Sequence, residues 1–551
     1  MKVVIIGGVA GGASCAARLR RQDEHAEIVL LEREEYISYA NCGLPYHVSD
    51  VIPSKRALLL QSPDVMRARF NIDVRVNNEA VAIDRARKTV RVRRGDGGGP
   101  YEESYDTLVI ATGSSPVRPP IPGIDSPRVM TLWTVDDAER MRALALSKNL
   151  SAAAVVGGGF IGLEMAENLR LAGLEVTLVE ALQQVMPPLD VEMALPLHAH
   201  LRQNGVKLRL GDGVEAFEET GNGVNVKLKS GETVAAEMVV LAIGVRPNGA
   251  LAKEAGLELN ARGGVIVDAF LRTSDPSIYA VGDVIEVNEP VLGGKTMIPL
   301  AGPANRQGRI AADNISGGEE TYSGTQGTSV AKVFGLTAAS TGVNEKTLAA
   351  RGMASGRDYG RVIIVQNHHA AYYPGAEPMV LKLLFAKDGS RILGAQIVGA
   401  EGVDKRIDVI ATAMRLGAPV TALKDLELAY APPYGSAKDA VNMLGFAAAN
   451  VLEGKVAFAG WDALEKDPDA LALDIREAGE VSAFAIPGAK HIPMGQLRAR
   501  LNELPRDREL IVFCGVGVRA NTAARLLSQH GFSRVSIYPG GMYFYRRTHE
   551  A

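Results

Sequence analysis

Three thiols in 551 residues carry the chemistry this chain could do: Cys15, Cys42 and Cys514. They lie far apart in sequence, so neither a disulfide framework nor a metal-ligand cluster is visible. Cys514 opens the loop Cys514-Gly515-Val516-Gly517-Val518-Arg519, between a short apolar run and a helical pattern. A loop of this kind, ending in Arg519, makes a cradle of backbone N–H groups. With the helix dipole, that cradle stabilises a thiolate or a persulfide anion. Cys42 stands alone in Ser38-Tyr39-Ala40-Asn41-Cys42-Gly43-Leu44-Pro45-Tyr46 and has no neighbouring thiol to pair with. Cys15 lies in the helical pattern after the first glycine loop and reads as core or site lining.

Two other patterns would hold phosphates. Val3-Val4-Ile5-Ile6 leads into Gly7-Gly8-Val9-Ala10-Gly11-Gly12, and Ala153-Ala154-Val155-Val156 leads into Gly157-Gly158-Gly159-Phe160-Ile161-Gly162. Each is followed by a helical pattern and a strand (28–31 and 176–179) ending in an acid, Glu32 or Glu180. A helix N-terminus offers free N–H groups to a pyrophosphate, and glycines let the backbone approach. The acid about twenty residues on accepts hydrogen bonds from ribose hydroxyls. The alternative is a pair of tight strand–helix turns without ligands, but the recurrence of all three parts favours dinucleotides. Val9 stands where the middle glycine is expected, whereas the second motif has Gly157, Gly159 and Gly162. Glu180 would repel a 2′-phosphate, and no Arg or Lys follows it closely, which favours NADH over NADPH.

These patterns need a scaffold. Residues 105–115 and 238–247 read as buried strands ending in glycine turns, and 277–284 as a strand ending at Asp283. The reading is α/β, with one Rossmann-like domain (1–110 and 245–325) holding a second (111–244) nested inside it. Residues 326–450 alternate apolar strands (362–365, 379–385) with a helix near 404–416 and predict an α+β domain. A linker at 451–461 precedes a small α/β domain at 462–551, with strands at 471–475 and 510–513 and a helix at 521–529.

Composition excludes other classes. A charged fraction of 22%, a hydrophobic fraction of 47% and a net charge of -3 fit a soluble globular protein. They argue against a nucleic-acid or membrane-surface binder. The opening residues MKVVIIGG lack signal-peptide features, and few thiols suit a reducing compartment, so a cytoplasmic location is expected.

Four motifs together resemble the two-dinucleotide flavoprotein disulfide reductases: the first glycine loop, Ala111-Thr112-Gly113, the second glycine loop, and Val281-Gly282-Asp283. The resemblance covers about residues 1–450 and implies FAD on the first unit and the nicotinamide on the nested one. It places Gly7, Gly8, Ala10, Gly11, Gly12, Glu32, Arg33, Ala111, Thr112, Gly113, Asp283, Pro299 and Ala301 at the flavin. Gly157, Gly159, Phe160, Ile161, Gly162, Glu180 and Gly244 would lie at the nicotinamide cofactor. The lone Cys42 matches the single-cysteine subgroup, which includes coenzyme A disulfide reductases and NADH oxidases and peroxidases. There Cys42 would attack a substrate sulfur and hold it as a mixed disulfide or persulfide, with a lowered thiol pKa. Coenzyme A is implied as substrate or bound carrier, at Ser14, Arg18, Arg21, Ser38, Asn41, Asn305, Arg306 and Lys438. A homodimer is implied, with Tyr430 and Tyr434 of the partner, joined by Tyr372 or Tyr373, near the sulfur.

The Cys514 loop, Asp474-Ile475-Arg476-Glu477 and Ile486-Pro487-Gly488-Ala489-Lys490-His491-Ile492-Pro493 resemble the rhodanese sulfurtransferases over about residues 462–548. A cysteine phosphatase uses a similar cradle, but its loop is longer. The fusion implies reduction of persulfides or polysulfides, with sulfide release and sulfurtransfer by Cys514 and Arg519. The alternatives are coenzyme A disulfide reduction, an NADH oxidase or peroxidase, and a non-enzymatic sulfur carrier or redox sensor.

Overall fold

The computed structural model describes residues 1–147 and 149–549. They form two compact units, one of Met1–Gln183 with Arg209–Gly327 and one of Gln184–Leu208 with Thr328–Ala551.

In the first unit, the opening apolar run is the strand Lys2–Ile6, fully buried from Val3 to Ile5. A run buried on both faces suits the centre of a parallel sheet. It pairs in parallel with Glu27–Leu31 on one side and Thr107–Ile110 on the other. Asp73–Arg75 and Ile278–Ala280 complete the two edges. The chain leaves this sheet after Ile110 and rejoins it at Ile278. Between them, Ala152–Val156 pairs in parallel with Glu175–Glu180 and with Met238–Leu241. The nested pair of dinucleotide folds read from the sequence is therefore present. Ser114–Pro116 and Val245–Pro247, on the two passages between the folds, pair antiparallel.

In the second unit, five antiparallel strands run in the order Ser329–Val333, Leu336–Gly342, Ile392–Gly399, Pro378–Ala386, Tyr359–Asn367. The helices Val403–Arg415 and Ala440–Leu452 bury Ile407, Ile410, Val441 and Leu444 against the apolar residues of this sheet. A second, parallel sheet orders Lys490–His491, Leu471–Asp474, Leu510–Phe513, Val535–Ile537. The stretch 451–461, read as a linker, is hydrogen-bonded to it: Ile537 N–H donates to Ala457 O and Ala459 N–H to Ile537 O.

The helix Val191–Gln203 lies inside the nested domain in sequence, yet Gln184–Leu208 packs within the second unit. There Lys382, wholly buried on its strand, meets Asp190, Glu192 and Glu345. Those carboxylates are the one group among the described residues close enough to share a metal ion, and the Lys382 ammonium holds the place between them.

Candidate active site

The glycine loops take their shape from backbone limits. Gly7 has φ 104°, and a Cβ on it would lie 2.2 Å from Ala111 O. A Cβ on Gly12 would lie 1.8 Å from Gly7 O. The second loop repeats this: Gly157 has φ 110°, and a Cβ on Gly162 would lie 1.9 Å from Gly157 O. Only glycine fits such positions. The two acids act alike as well. Glu32 accepts from Gly8 N–H at 2.8 Å and Glu34 N–H at 3.0 Å. Glu180 accepts from Gly158 N–H at 2.6 Å and Leu182 N–H at 2.8 Å. Each acid thus braces its own loop. Burial raises the Glu32 pKa against these N–H donors.

Gly159 differs from its neighbours. A Cβ there would meet nothing within 4 Å, so the chain itself does not require a glycine. Open space over a helix N-terminus fits a pyrophosphate, and Phe160 and Ile161 begin that helix. At the first site, Ala111 N–H donates to Ile6 O at 2.8 Å, and Thr112 Oγ1 donates to Asn248 O at 2.9 Å. Gly113 and Gly244 have φ of 64° and 106°. Asp283 accepts from Ser114 Oγ at 2.8 Å. Arg33 pairs with Glu34 at 3.3 Å, and Pro299 is exposed. The helix Ala301–Ile315 packs on Ala10–Gln22 where Gly308 faces Gly11: a Cβ on Gly308 would lie 2.3 Å from Gly11 O. These features fit a bound dinucleotide at each loop.

Cys42 is exposed, on the short turn Asn41–Gly43. Ser38 holds that turn against the first glycine loop through its N–H to Gly8 O at 2.8 Å, with φ 45°. Asn41 Oδ1 accepts from Cys42 N–H at 3.0 Å and lies 3.6 Å from Sγ. A cleft of 550 Å³ opens beside the thiol. Its walls bring together Cys42, Ala10, Ser14, Arg18, Arg21, Ser38, Asn41, Ala301 and Asn305, nine residues named from the sequence. Ser14 Oγ donates to Asn305 Oδ1 at 2.5 Å, Arg18 pairs with Asp313 at 2.6 Å, and the Arg21 guanidinium lies over the Phe70 ring. Arg306 is not in the cleft; its guanidinium lies over Tyr322. Lys438 is an exposed residue of the second unit.

Arg309 and an apolar wall of Leu60, Met66 and Phe70 were not anticipated. Arg309 follows Asn305 by one helical turn and so shares its face, a signal the sequence did carry. Met66 and Phe70 come from the short helix Pro63–Phe70 and Leu60 from the chain just before it, which spacing does not relate to Cys42.

The thiol pKa runs against expectation. Surrounding protein raises it, and the carboxylates of Glu164 and Asp283 raise it further. The lowered pKa expected of Cys42 is therefore not supplied by the chain, because burial and then the negative charges of Glu164 and Asp283 favour the neutral thiol. Glu164 is itself pushed up to about 7, first by burial and then by Glu167, while a hydrogen bond from Tyr46 opposes this. Removing that carboxylate lowers the cost of a thiolate. Glu164→Gln should therefore shift the pH profile of Cys42 alkylation by iodoacetamide to lower pH, in a variant that keeps Cys42 as its one exposed cysteine. A profile that stays in place or rises would show that Glu164 does not act on the sulfur.

Cys15 is fully buried, and burial and Asp313 push its thiol to about 12, so it is core. Cys514 directly follows the strand Leu510–Phe513, and its sulfur accepts from Gly517 N–H at 3.2 Å. The C-terminal helix Gly541–His549 braces the loop: Met542 N–H donates to Cys514 O at 2.8 Å and Tyr543 N–H to Gly515 O at 2.9 Å. Arg519 forms a two-point ion pair with Glu480. On the other domain of this unit, Tyr372 and Tyr430 share a hydrogen bond of 2.6 Å between their hydroxyls, and Tyr434 is 72% exposed. Arg406, paired with buried Asp439, donates to His368 O at 2.6 Å and Tyr434 O at 3.5 Å, and so ties the two tyrosine-bearing loops together.

Residues 1–308 match the pyridine nucleotide-disulphide oxidoreductase family, residues 328–441 its dimerisation domain, and 461–547 the rhodanese-like domain. The chain is 34% identical to a coenzyme A disulfide reductase of Staphylococcus epidermidis, over 81% of this chain and 99% of that one. It superposes on the reduced Bacillus anthracis CoADR-RHD with TM-score 0.96 and 48% identity, covering 99% of this chain and 98% of the other. An NAD-dependent persulfide reductase from A. fulgidus matches with TM-score 0.93 and 40% identity, covering 99% of this chain and all of the other. Two braced glycine loops, a lone cysteine on the cleft wall beside the first of them, and these matches lead to one assignment: the chain belongs to the pyridine nucleotide-disulphide oxidoreductase family and carries a rhodanese-like domain at its C-terminal end.

Proposed function

We propose that this chain uses NADH and FAD to reduce sulfur–sulfur bonds of persulfides or polysulfides, with coenzyme A as bound carrier or substrate, and releases sulfide. The observation that carries this is the Cys42 cleft, whose wall runs from the first glycine loop at Ala10 to Arg18, Arg21 and Arg309. Three guanidiniums on one wall suit the phosphates of a nucleotide carrier, and the thiol beside them suits its sulfur. Cys42 attacks one sulfur of R–S–SH, the sulfur–sulfur bond breaks, and its electron pair leaves on the departing sulfur. FAD supplies the two-electron step that returns Cys42 to the thiol, with NADH as the source. The sum is R–S–SH with NADH and a proton giving R–SH, H₂S and NAD⁺. Lowering the Cys42 pKa falls to what binds beside the sulfur.

In this reading residues 1–110 and 245–325 hold the flavin, 111–244 the nicotinamide, 326–450 make a dimer contact, and 462–551 carry sulfur on Cys514. Exposed Tyr430, Tyr434, Tyr372 and Tyr373 support a partner subunit that uses them at its own Cys42. NADH is preferred because Glu180 braces a loop with no cation close behind it in sequence. No helix among the described residues is long and apolar enough to cross a membrane. Few thiols support a reducing, cytoplasmic setting.

A second reading, reduction of coenzyme A disulfide, draws on the Staphylococcus relative. The holoenzyme is given NADH with polysulfide, coenzyme A persulfide, coenzyme A disulfide or oxygen, and NADH loss and sulfide are followed. Sulfide matching NADH loss one to one is the expected result. Turnover confined to coenzyme A disulfide selects the second reading, and fast turnover with oxygen alone overturns both.

A further inference from the structure

The mouth of the Cys514 loop has a charge balance that bears on which sulfur donors it accepts. Arg519 Nη1 and Nη2 donate to the two carboxylate oxygens of Glu480 at 2.7 and 2.6 Å. Both side chains are partly open to solvent, 36% and 39% exposed, so the pair lies at the entrance rather than in the core. Arg519 Nη2 and Glu480 Oε1 each lie 3.6 Å from where a Cβ on Gly515 would stand, so the pair sits beside the residue that follows Cys514. The neighbouring guanidinium of Arg476 is buried on Asp474 at 2.7 Å. The loop turns Val516 and Val518 outward, 41% and 57% exposed. Cys514 is thus approached past an apolar rim and a cation already neutralised by a carboxylate.

An oxyanion donor such as thiosulfate carries two negative charges and must compete with Glu480 for Arg519. An alkyl persulfide carries at most one, on its outer sulfur, and it needs no guanidinium to reach the Cys514 sulfur, which already accepts from Gly517 N–H at 3.2 Å. Its methylenes can cover the two valines. We propose that Glu480 is a specificity-determining residue, which by holding Arg519 turns Cys514 away from oxyanion sulfur donors and toward alkyl persulfides packed on Val516 and Val518. In the favoured step the Cys514 thiolate attacks the outer sulfur of R–S–S⁻. A new sulfur–sulfur bond forms, the old one breaks, and its electron pair leaves as R–S⁻. With thiosulfate the leaving group is sulfite. This inference rests on the sulfur-carrying role of Cys514 proposed above.

The test uses the full chain and two donors, thiosulfate and the persulfide of N-acetylcysteamine. The readout is the rate at which Cys514 gains one sulfur by mass. Glu480→Gln should raise the ratio of the thiosulfate rate to the alkyl persulfide rate by at least about tenfold, because the guanidinium is then free to meet an anion near the surface. A ratio that stays the same or falls overturns the proposal. Should that variant lose its fold by circular dichroism, Val518→Lys at the exposed rim carries the same expectation and the same refutation. If the unaltered chain loads sulfur on Cys514 from neither donor, the sulfur-carrying role itself fails, and that result is distinct from an unmoved ratio.

Discussion

Cys42→Ser should lower NADH-dependent reduction of every sulfur acceptor by at least about a thousandfold while the protein stays yellow. A serine hydroxyl forms no sulfur–sulfur bond and gives no thiolate near neutral pH, so the covalent step is lost rather than slowed. Losses of this order are typical when a nucleophile is removed and binding is left in place. Flavin should remain because the Cys42 side chain plays no part in shaping the first glycine loop. That loop is held by the Gly7 and Gly12 close contacts, by Glu32, and by the backbone bond from Ser38 to Gly8. The check pairs the flavin absorbance of the purified variant with NADH consumption on polysulfide and on coenzyme A disulfide. Turnover within tenfold of the parent would remove Cys42 from the chemistry. A colourless, folded variant would instead place the residue in flavin binding.

What the sequence revealed and what it hid have physical causes. The paired dinucleotide folds were legible because their constraints are local and backbone-driven: a strand, a glycine with no room for a Cβ, and an acid at fixed distance. Gly7 and Gly157 could be read because nothing else fits there. Cys514 was legible for the same reason, as a loop between a strand and a helix. The cleft was half legible. Arg18, Arg21, Ser14 and Asn305 lie on two helices that pack together, and Arg309 could have been added from the turn it shares with Asn305. Phe70, Met66 and Leu60 could not, since only tertiary packing brings them to Cys42. The direction of the Cys42 pKa was misread because it is set first by burial and then by Glu164, more than a hundred residues away, and both are silent in local pattern. Gln184–Leu208 was hidden for a similar reason. Asp190 and Glu192 look like a solvated helix start until Lys382 is seen facing them.

That lysine gives the second large effect. Lys382→Met should destabilise the second unit by roughly 3–5 kcal/mol, the usual cost of removing one partner from a buried ionic cluster. Its ammonium contacts Asp190 at 2.8 Å, Glu345 at 2.6 Å and Glu192, all with side chains at most 18% exposed. Burial lowers the Lys382 pKa, but Glu192, Asp190 and Glu345 outweigh it and raise it overall. The lysine's contribution is therefore fully present below the unfolded pKa of about 10.4 and is lost as pH rises through the higher folded value. In the variant three carboxylates face one another, offset by Arg361 at 3.2 Å and the Tyr359 hydroxyl at 2.7 Å from Glu345, by the Gln396 amide at 2.6 Å and the Glu345 N–H at 2.9 Å from Asp190, and by the charge of the Lys346 ammonium. Protonating one carboxylate relieves the repulsion, so the deficit should shrink from pH 8 to pH 5, and Glu192→Gln added to Lys382→Met should recover part of it. The measurement is the urea midpoint of the transition that deprotects Val191–Gln203 and Pro378–Ala386 to hydrogen exchange, since a chain of several domains does not unfold in one step. A deficit below about 1 kcal/mol, or one that grows toward pH 5, would mean that Lys382 does not hold Gln184–Leu208 in place through its charge.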